Sequence, residues 1–187
     1  MELPRKPFAW SIGQETPRFE NPWFRVSEYD AHDPNGRPAN YGLVHFQNHA
    51  VGIVPYEDGH VWLVGQSRFG FKAYSWEFPA GGAALDADLQ LAAARELREE
   101  TGLIATHYTQ ILHQHLSNSV TDEKATTFLA TGLTQGEAAP ESSEDISVMK
   151  LSLDEVIKAT EAGEIWQALT VSAVYKLAFM AERGELS

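Results

Sequence analysis

The stretch Arg95-Glu96-Leu97-Arg98-Glu99-Glu100-Thr101-Gly102-Leu103 decides the fold of this 187-residue chain and points to its chemistry. It closes a run of strong helix formers, and Gly102 is a typical residue to end a helix. The pattern predicts a helix over residues 87–101, with Asp86 or Asp88 as its N-cap.

Three carboxylates crowd one turn of this helix. At 100° per residue, Glu100 falls inside the apolar arc that runs through Leu89 and Leu97, and Glu96 lies at its edge. Glu96, Glu99 and Glu100 repel one another by roughly 0.2–0.5 kcal/mol per pair, and partial burial raises that cost. A hard divalent cation such as Mg²⁺ or Mn²⁺, which prefers carboxylate and carbonyl oxygens, would remove the conflict.

A solvated helix face is the plain alternative, with Arg95 paired to Glu99 four residues along. The upstream segment Ala80-Gly81-Gly82 argues against it, because a glycine loop lets the backbone approach a ligand closely. The Ala80 carbonyl would then serve as a further oxygen ligand. We therefore expect a cation site between this loop and the helix.

Charge and composition exclude several classes of function. The 14 Lys and Arg residues against 26 Asp and Glu give a formal charge of −12, which repels nucleic-acid polymers and anionic membrane surfaces. Hydrophobic residues make up 43% of the chain, yet no apolar run approaches the roughly 18 residues that span a bilayer. We expect a globular chain with neither a nucleic-acid polymer nor a membrane as partner.

The chain has no cysteine, which excludes disulfide bonds, thiolate metal sites and a cysteine nucleophile. The first residues lack the apolar stretch of a secretory signal. Both observations favour a cytoplasmic protein. The histidine pairs His113/His115 and His45/His49 have no third ligand at a recognisable spacing, so no zinc site is predicted.

The distribution of turn formers predicts two parts. Residues 1–45 are expected to form a small N-terminal antiparallel β module, and residues 46–187 the larger domain. In the larger part, Asp58-Gly59 is typical of a type I′ hairpin, and Ser152-Leu153-Asp154-Glu155 fits a capping box that opens a helix. Strands mixed with separate helices predict an α+β fold, an α/β/α sandwich with helices flanking a mixed sheet.

The acidic segment resembles the Nudix hydrolase signature, G-x5-E-x7-R-E-U-x-E-E-x-G-U, where U is apolar. From Gly81 to Leu103 every fixed position matches except the first glutamate, where Ala87 stands. In the family that glutamate supports the loop and the signature arginine, here Arg95. We expect Asp86 or Asp88 to compensate for Arg95.

Two further segments resemble one branch of the family, the ADP-ribose and nucleoside diphosphate-sugar pyrophosphatases. These are Trp76-Glu77-Phe78-Pro79-Ala80-Gly81-Gly82 and the preceding Gln66-Ser67-Arg68. The resemblance implies a homodimer formed through the N-terminal β module, with Trp23-Phe24 at the interface or stacking on a base.

The resemblance also implies a Mg²⁺ cofactor, with Mn²⁺ as a possible substitute. Its ligands would be the Ala80 carbonyl, Glu96 and Glu100, while Glu99 holds a second ion or its water. Glu144 matches the catalytic base of this branch, and Glu141 is the reserve.

The remaining site residues are expected to bind substrate. Arg68, with Lys72, would clamp phosphate oxygens, and Glu77 would contact the substrate or support the metal. Gly81 and Gly82 would bring the backbone close to the substrate.

The resemblance implies Mg²⁺-dependent hydrolysis of the diphosphate of a nucleoside diphosphate-sugar, with ADP-ribose giving AMP and ribose 5-phosphate. Two alternatives stay open. Ala87 raises the possibility of a non-catalytic module that binds a nucleotide metabolite, and another diphosphate such as GDP-mannose is a different candidate substrate.

Overall fold

The computed structural model describes residues 3–136 and 146–186. The chain divides into two compact units, one running up to Asn48 and including His115–Glu123, the other comprising the rest. No helix in the described ranges combines the length and the apolar character needed to cross a membrane.

The first unit is built on an antiparallel sheet of three strands in the order β1-β2-β3. The strands are β1 (Ser11–Glu20), β2 (Phe24–His32) and β3 (Pro38–Phe46). The Asn21 side chain shapes the first turn, because its carbonyl oxygen accepts hydrogen bonds from the Trp23 and Phe24 amides at 2.8 Å each. The segment His115–Glu123, which belongs to the same unit, joins β3. There the Val44 amide donates to the Val120 carbonyl at 2.9 Å.

The second unit contains seven strands and three helices among the described residues. In chain order they are β4 (Asn48–Glu57), β5 (His60–Arg68), β6 (Ala73–Glu77), β7 (Ala80–Ala84), α1 (Leu89–Thr101), β8 (Leu103–His115), β9 (Lys124–Gln135), β10 (Ser147–Ser152), α2 (Leu153–Glu161) and α3 (Ala168–Glu182). The strands form one sheet in the order β10-β5-β4-β9-β8, with β6 paired to β5 and β7 paired to β4. Since β4 and β9 are parallel while β4 and β5 are antiparallel, the sheet is mixed.

Helices cover both faces of this sheet. On one face α2 and α3 bury Val156 and Leu177 against Val54 and Phe78. On the other, Leu97 of α1 packs in a second apolar cluster with strand residues of the sheet. This arrangement confirms the predicted α/β/α sandwich and its small antiparallel sheet.

Local signals in the sequence agree with the structure at several points. Asp58 and Gly59 have φ of 47° and 76°, as a type I′ turn requires. Ser152 and Glu155 form the predicted capping box at the start of α2. The α1 helix begins at Leu89 rather than at residue 87, because Asp88 is the N-cap.

The predicted Gly81-Gly82 loop is wrong: these residues lie in strand β7. Glycine is a poor strand former, so nothing local predicts this strand. It forms because the segment pairs with β4, and next to it the Ile53 amide donates to the Pro79 carbonyl at 2.8 Å. Tertiary pairing overrides propensity here.

Candidate active site

The residues that predict the two ends of helix α1, Asp88 and Gly102, also cap the helix in the structure. The Asp88 carboxylate accepts hydrogen bonds from the Gln90 amide at 2.9 Å and from the Leu91 amide at 3.2 Å. Gly102 ends the helix in the left-handed region at φ 72°, and its amide donates to the Arg98 carbonyl at 2.9 Å. The three acids therefore lie at the C-terminal end of a well-capped helix.

Two of these acids lie against the backbone of β7. Glu100 is 5% exposed, and its Oε2 accepts a hydrogen bond from the Ala80 amide at 3.1 Å. The Glu96 side chain is 12% exposed, and its carboxylate lies so close to Gly81 that any Cβ there would overlap it. The glycine therefore makes room for the acid, as the sequence suggested for a close backbone approach.

Arg95 neutralises the outer part of this acidic turn. Its guanidinium forms ion pairs with Glu99 at 2.7 Å and Glu96 at 2.6 Å, and it donates to the Gly82 carbonyl at 3.2 Å. Burial works against the charged form, yet the two carboxylates outweigh burial and raise the pKa of Arg95. The solvated-face alternative explains the Arg95–Glu99 pair but not the buried carboxylate of Glu100.

The oxygen atoms of this turn are ligands of the type that binds a divalent cation. Carboxylate oxygens on one turn, beside a backbone that runs through Ala80 and Gly81, are the hard donors that Mg²⁺ and Mn²⁺ prefer. Within residues 3–136 and 146–186, however, no three acidic or histidine side chains converge as a ready-made cation centre. Arg95 accounts for part of this difference, since it holds Glu96 and Glu99 in ion pairs.

Ala87 lies just before α1, where its amide donates to the Ala84 carbonyl at 3.0 Å. The sequence predicted that Asp86 or Asp88 compensates Arg95 for the missing glutamate, but the structure gives Arg95 different partners. The Asp88 carboxylate caps the helix, and Arg95 turns to acids of its own helix.

The buried carboxylate of Glu77 forms an ion pair with the partly exposed side chain of Arg68. The Glu77 side chain has no exposed surface, and Arg68 donates to both of its oxygens, with Nε to Oε1 at 2.9 Å. Lys72 lies in the turn that follows β5, with φ of 51°. The structure thus places Glu77 as a partner that orients Arg68.

A NUDIX domain matches residues 47–171 of the chain. The chain belongs to the NUDIX family. It is 30% identical over 150 residues to an ADP-ribose pyrophosphatase of Bacillus subtilis (strain 168), covering 79% of this chain and 81% of that protein. It is 33% identical over 132 residues to an ADP-ribose pyrophosphatase of Mycobacterium tuberculosis (strain ATCC 25618 / H37Rv), covering 67% and 62% of the two chains.

A solved structure agrees with this assignment at the level of the fold. A crystal structure of an ADP compounds hydrolase superposes on 97% of this Nudix protein and 99% of that chain, with a TM-score of 0.85 and 22% identity. The predicted family and the predicted enzyme class, a Nudix-type pyrophosphohydrolase, are confirmed.

Two of the predicted site residues lie outside the described part of the chain. Glu144 and Glu141, the two candidate bases, fall outside the described residues. Arg98 and Tyr108, which no sequence pattern singled out, line a cleft beside Glu99. The spacing of Arg98 three residues after Arg95 could have indicated that both guanidinium groups share one helix face.

Proposed function

We propose that this Nudix enzyme hydrolyses the diphosphate linkage of a nucleoside diphosphate-sugar with Mg²⁺ as cofactor. ADP-ribose is the proposed substrate, and AMP and ribose 5-phosphate are the products. The observation that carries the proposal is the packing of Glu96 and Glu100 against the backbone at Ala80 and Gly81. Both bacterial relatives are named ADP-ribose pyrophosphatases, which supports the choice of ADP-ribose.

Glu96, Glu100 and the Ala80 carbonyl would hold the cation, and Glu99 would hold a second ion or its water. When bound, Mg²⁺ neutralises charge on the diphosphate and lowers the pKa of the attacking water; Mn²⁺ could replace it. Arg95 positions Glu96 and Glu99 through its two ion pairs.

Other side chains bind the substrate and move the proton. Arg68, oriented by Glu77, would donate to phosphate oxygens. The backbone at Gly81 and Gly82 would approach the substrate closely. Glu144 would accept the proton of the attacking water, with Glu141 as the second candidate. Comparing Glu144→Gln with Glu141→Gln would assign the base: the variant with the larger loss of kcat identifies it.

The experiment that tests the proposed function is hydrolysis of a panel of nucleotide sugars with Mg²⁺. We expect ADP-ribose to be turned over fastest, with AMP and ribose 5-phosphate identified by chromatography. Glu100→Gln should lower kcat by orders of magnitude while the protein stays folded, since it removes a ligand carboxylate. The matched control Glu161→Gln, at an exposed position on α2, should behave like the wild type.

The same assay distinguishes the two alternatives, the non-catalytic module suggested by Ala87 and a hydrolase of another diphosphate. Tight binding of one nucleotide with no turnover of any compound would favour a non-catalytic module. Faster turnover of GDP-mannose than of ADP-ribose would change the substrate but keep the chemistry. Unchanged turnover in Glu100→Gln would refute the site itself.

We also propose that the protein is a cytoplasmic homodimer. The N-terminal β module, residues 1–45, would contact the partner subunit, and residues 46–187 would form the catalytic domain. Trp23 supports this role, because its side chain is 65% exposed. Light scattering after size-exclusion chromatography should give twice the 20.7 kDa chain mass, and Trp23→Asp should shift it toward the monomer.

A further inference from the structure

A cavity of about 520 Å³ lies within the first unit, against the sheet β1-β2-β3. Strand β2 contributes Tyr29, strand β3 contributes Tyr41 and His45, and the segment before β1 contributes Phe8 and Trp10. Its volume is within the range of small-ligand sites, about 300–1,000 Å³. No residue assigned to the candidate active site lines this cavity, so diphosphate hydrolysis does not explain it.

Two pairs of steeply inclined rings form the walls of the cavity. The rings of Trp10 and Tyr41 have centroids 5.5 Å apart and an interplanar angle of 76°. Those of Tyr29 and His45 have centroids 5.9 Å apart and an angle of 68°. Rings inclined in this way form adjacent walls of a box, an arrangement typical of aromatic cages that bind a cation against their π faces. We refer to Trp10, Tyr29, Tyr41 and His45 as the aromatic cage.

Hydrogen bonds hold three of these rings in place. The Tyr41 hydroxyl donates to the Ser119 carbonyl. His45 Nδ1 lies 2.6 Å from a carboxylate oxygen of Asp122, and His45 Nε2 lies 2.7 Å from the Tyr29 hydroxyl. Because a carboxylate only accepts, Nδ1 donates to Asp122, and Nε2 of the neutral ring accepts from Tyr29. Rings fixed before a ligand arrives lose little conformational freedom on binding.

The charges around the aromatic cage favour a cation over an anion. Among the described residues, Glu15, Arg25 and Asp122 are the charged side chains that interact with Tyr29. One guanidinium against two carboxylates leaves a net charge of −1 when His45 is neutral and of 0 when it is protonated. The cage therefore does not repel a cation in either state, and nothing in it attracts an anion.

The rest of the lining shows which kind of cation fits. It is mainly apolar, with Phe8, Ile12 and Leu43 among its side chains, and neither Arg5 nor Lys6 of the N-terminal segment lines it. A primary ammonium group would lose its hydrogen bonds to water there and find few acceptors in return. A trimethylammonium group has no N–H to satisfy and presents methyl groups to the rings. The lining therefore favours a quaternary ammonium ion.

We infer that the aromatic cage binds the trimethylammonium group of a small quaternary ammonium compound. The cation lies against the faces of Trp10, Tyr29 and Tyr41, and the apolar lining contacts its methyl groups. The inference does not depend on the proposed hydrolysis, because none of these residues would hold the metal or the diphosphate. A second copy of the chain is the other possible occupant, and the test below distinguishes it.

The test is calorimetric titration of the full chain with choline at pH 8.0. The matched probe is 3,3-dimethylbutan-1-ol, which has the shape of choline but carries a carbon atom in place of the charged nitrogen. We expect wild type to bind choline about tenfold more tightly than this neutral analogue, since only the cation is attracted to the ring faces.

Variants then assign the binding to the cage. Trp10→Leu removes one wall and should lower the choline affinity about tenfold. Phe179→Leu is the matched control, because it removes an aromatic ring that is 56% exposed on α3. Tyr41→Phe keeps the ring and should keep most of the affinity that Tyr41→Leu loses. Thermal unfolding of each variant separates a loss of affinity from a loss of folded protein.

Three results would overturn the inference. Equal affinity for choline and its neutral analogue would show a cavity that selects only for apolar shape. Equal choline affinity in Trp10→Leu and Phe179→Leu would place the binding elsewhere. Absence of choline binding to wild type, together with a dimer that Trp10→Leu dissociates in light scattering, would identify a second copy as the occupant. A failure of the proposed function would show instead as no hydrolysis of ADP-ribose, whatever the choline titrations give.

Discussion

The buried carboxylate of Glu77 receives two hydrogen bonds from Arg68, one from Nε at 2.9 Å and one from Nη2. The acid is fully enclosed, while the Arg68 side chain keeps 37% of its surface exposed. The buried Glu77 carboxylate therefore fixes the direction of the Arg68 guanidinium. The exposed side of Arg68 can contact a ligand.

Removing the cation of this pair should destabilise the protein. Arg68→Met leaves the Glu77 charge buried without its partner, and we expect a loss of about 3 kcal/mol in the free energy of unfolding by urea. The double variant Arg68→Met/Glu77→Gln should recover part of that loss. Equal stability of the single and double variants would mean that the buried charge is not the cause.

Gly81→Ala should separate folding from metal binding. The added Cβ would overlap the Glu96 carboxylate, which lies at the end of a flexible side chain and can move away. We expect a change in Tm of only a few degrees and a loss of Mg²⁺ affinity by titration calorimetry, with turnover falling in parallel. Gly163→Ala, in a left-handed turn, tests whether any glycine change has this effect: it should cost stability and leave Mg²⁺ affinity intact. Wild-type Mg²⁺ affinity in Gly81→Ala would contradict the proposed role of this contact.

Ala87→Glu should restore the missing signature acid. A carboxylate at the start of the helix can compete for Arg95, which now binds Glu96 and Glu99. We expect turnover equal to or higher than wild type, and Mg²⁺ affinity that rises as the two helix acids are released. Ala87→Gln, which adds the same bulk without the charge, should not reproduce the gain. A collapse of activity in Ala87→Glu would instead indicate a loop rebuilt around alanine.

Stability should depend on pH through His49. Burial first, and then His113 and Lys124, lower the pKa of this histidine below its ordinary value of 6.5. Well above pH 6.5 the histidine is neutral in both the folded and the unfolded chain. As pH falls below 6.5 the unfolded chain takes up a proton first, so the free energy of unfolding decreases.

The variant that isolates this effect is His49→Gln, which can keep a hydrogen bond to the Thr126 hydroxyl, now 2.9 Å from the imidazole. Urea titrations at pH 5.0, 6.0 and 7.5 should show a steeper loss of stability in wild type than in the variant. Parallel pH profiles would refute a shifted pKa at this position.

Helix α1 was predictable because its signals are local. The N-cap at Asp88, the stop at Gly102 and the position of Glu100 within an apolar arc all follow from spacing along the chain. The same holds for the capping box at Ser152.

The features that could not be predicted from the sequence depend on contacts between distant segments. The pairing that turns Gly81-Gly82 into a strand involves β4, and glycine carries no strand preference that would announce it. The partners of Arg95 could not be chosen in advance, since Asp86, Asp88 and the acids of its own helix all lay within reach. Tyr108 joins Arg98 only because β8 returns beside α1.

Strand β4 pairs with β9 on one side, and β7 and β5 also pair with it. The backbone beside Glu96 and Glu100 is therefore anchored to the middle of the sheet. A change in the length or charge of the surrounding loops should therefore leave the position of these two carboxylates unchanged.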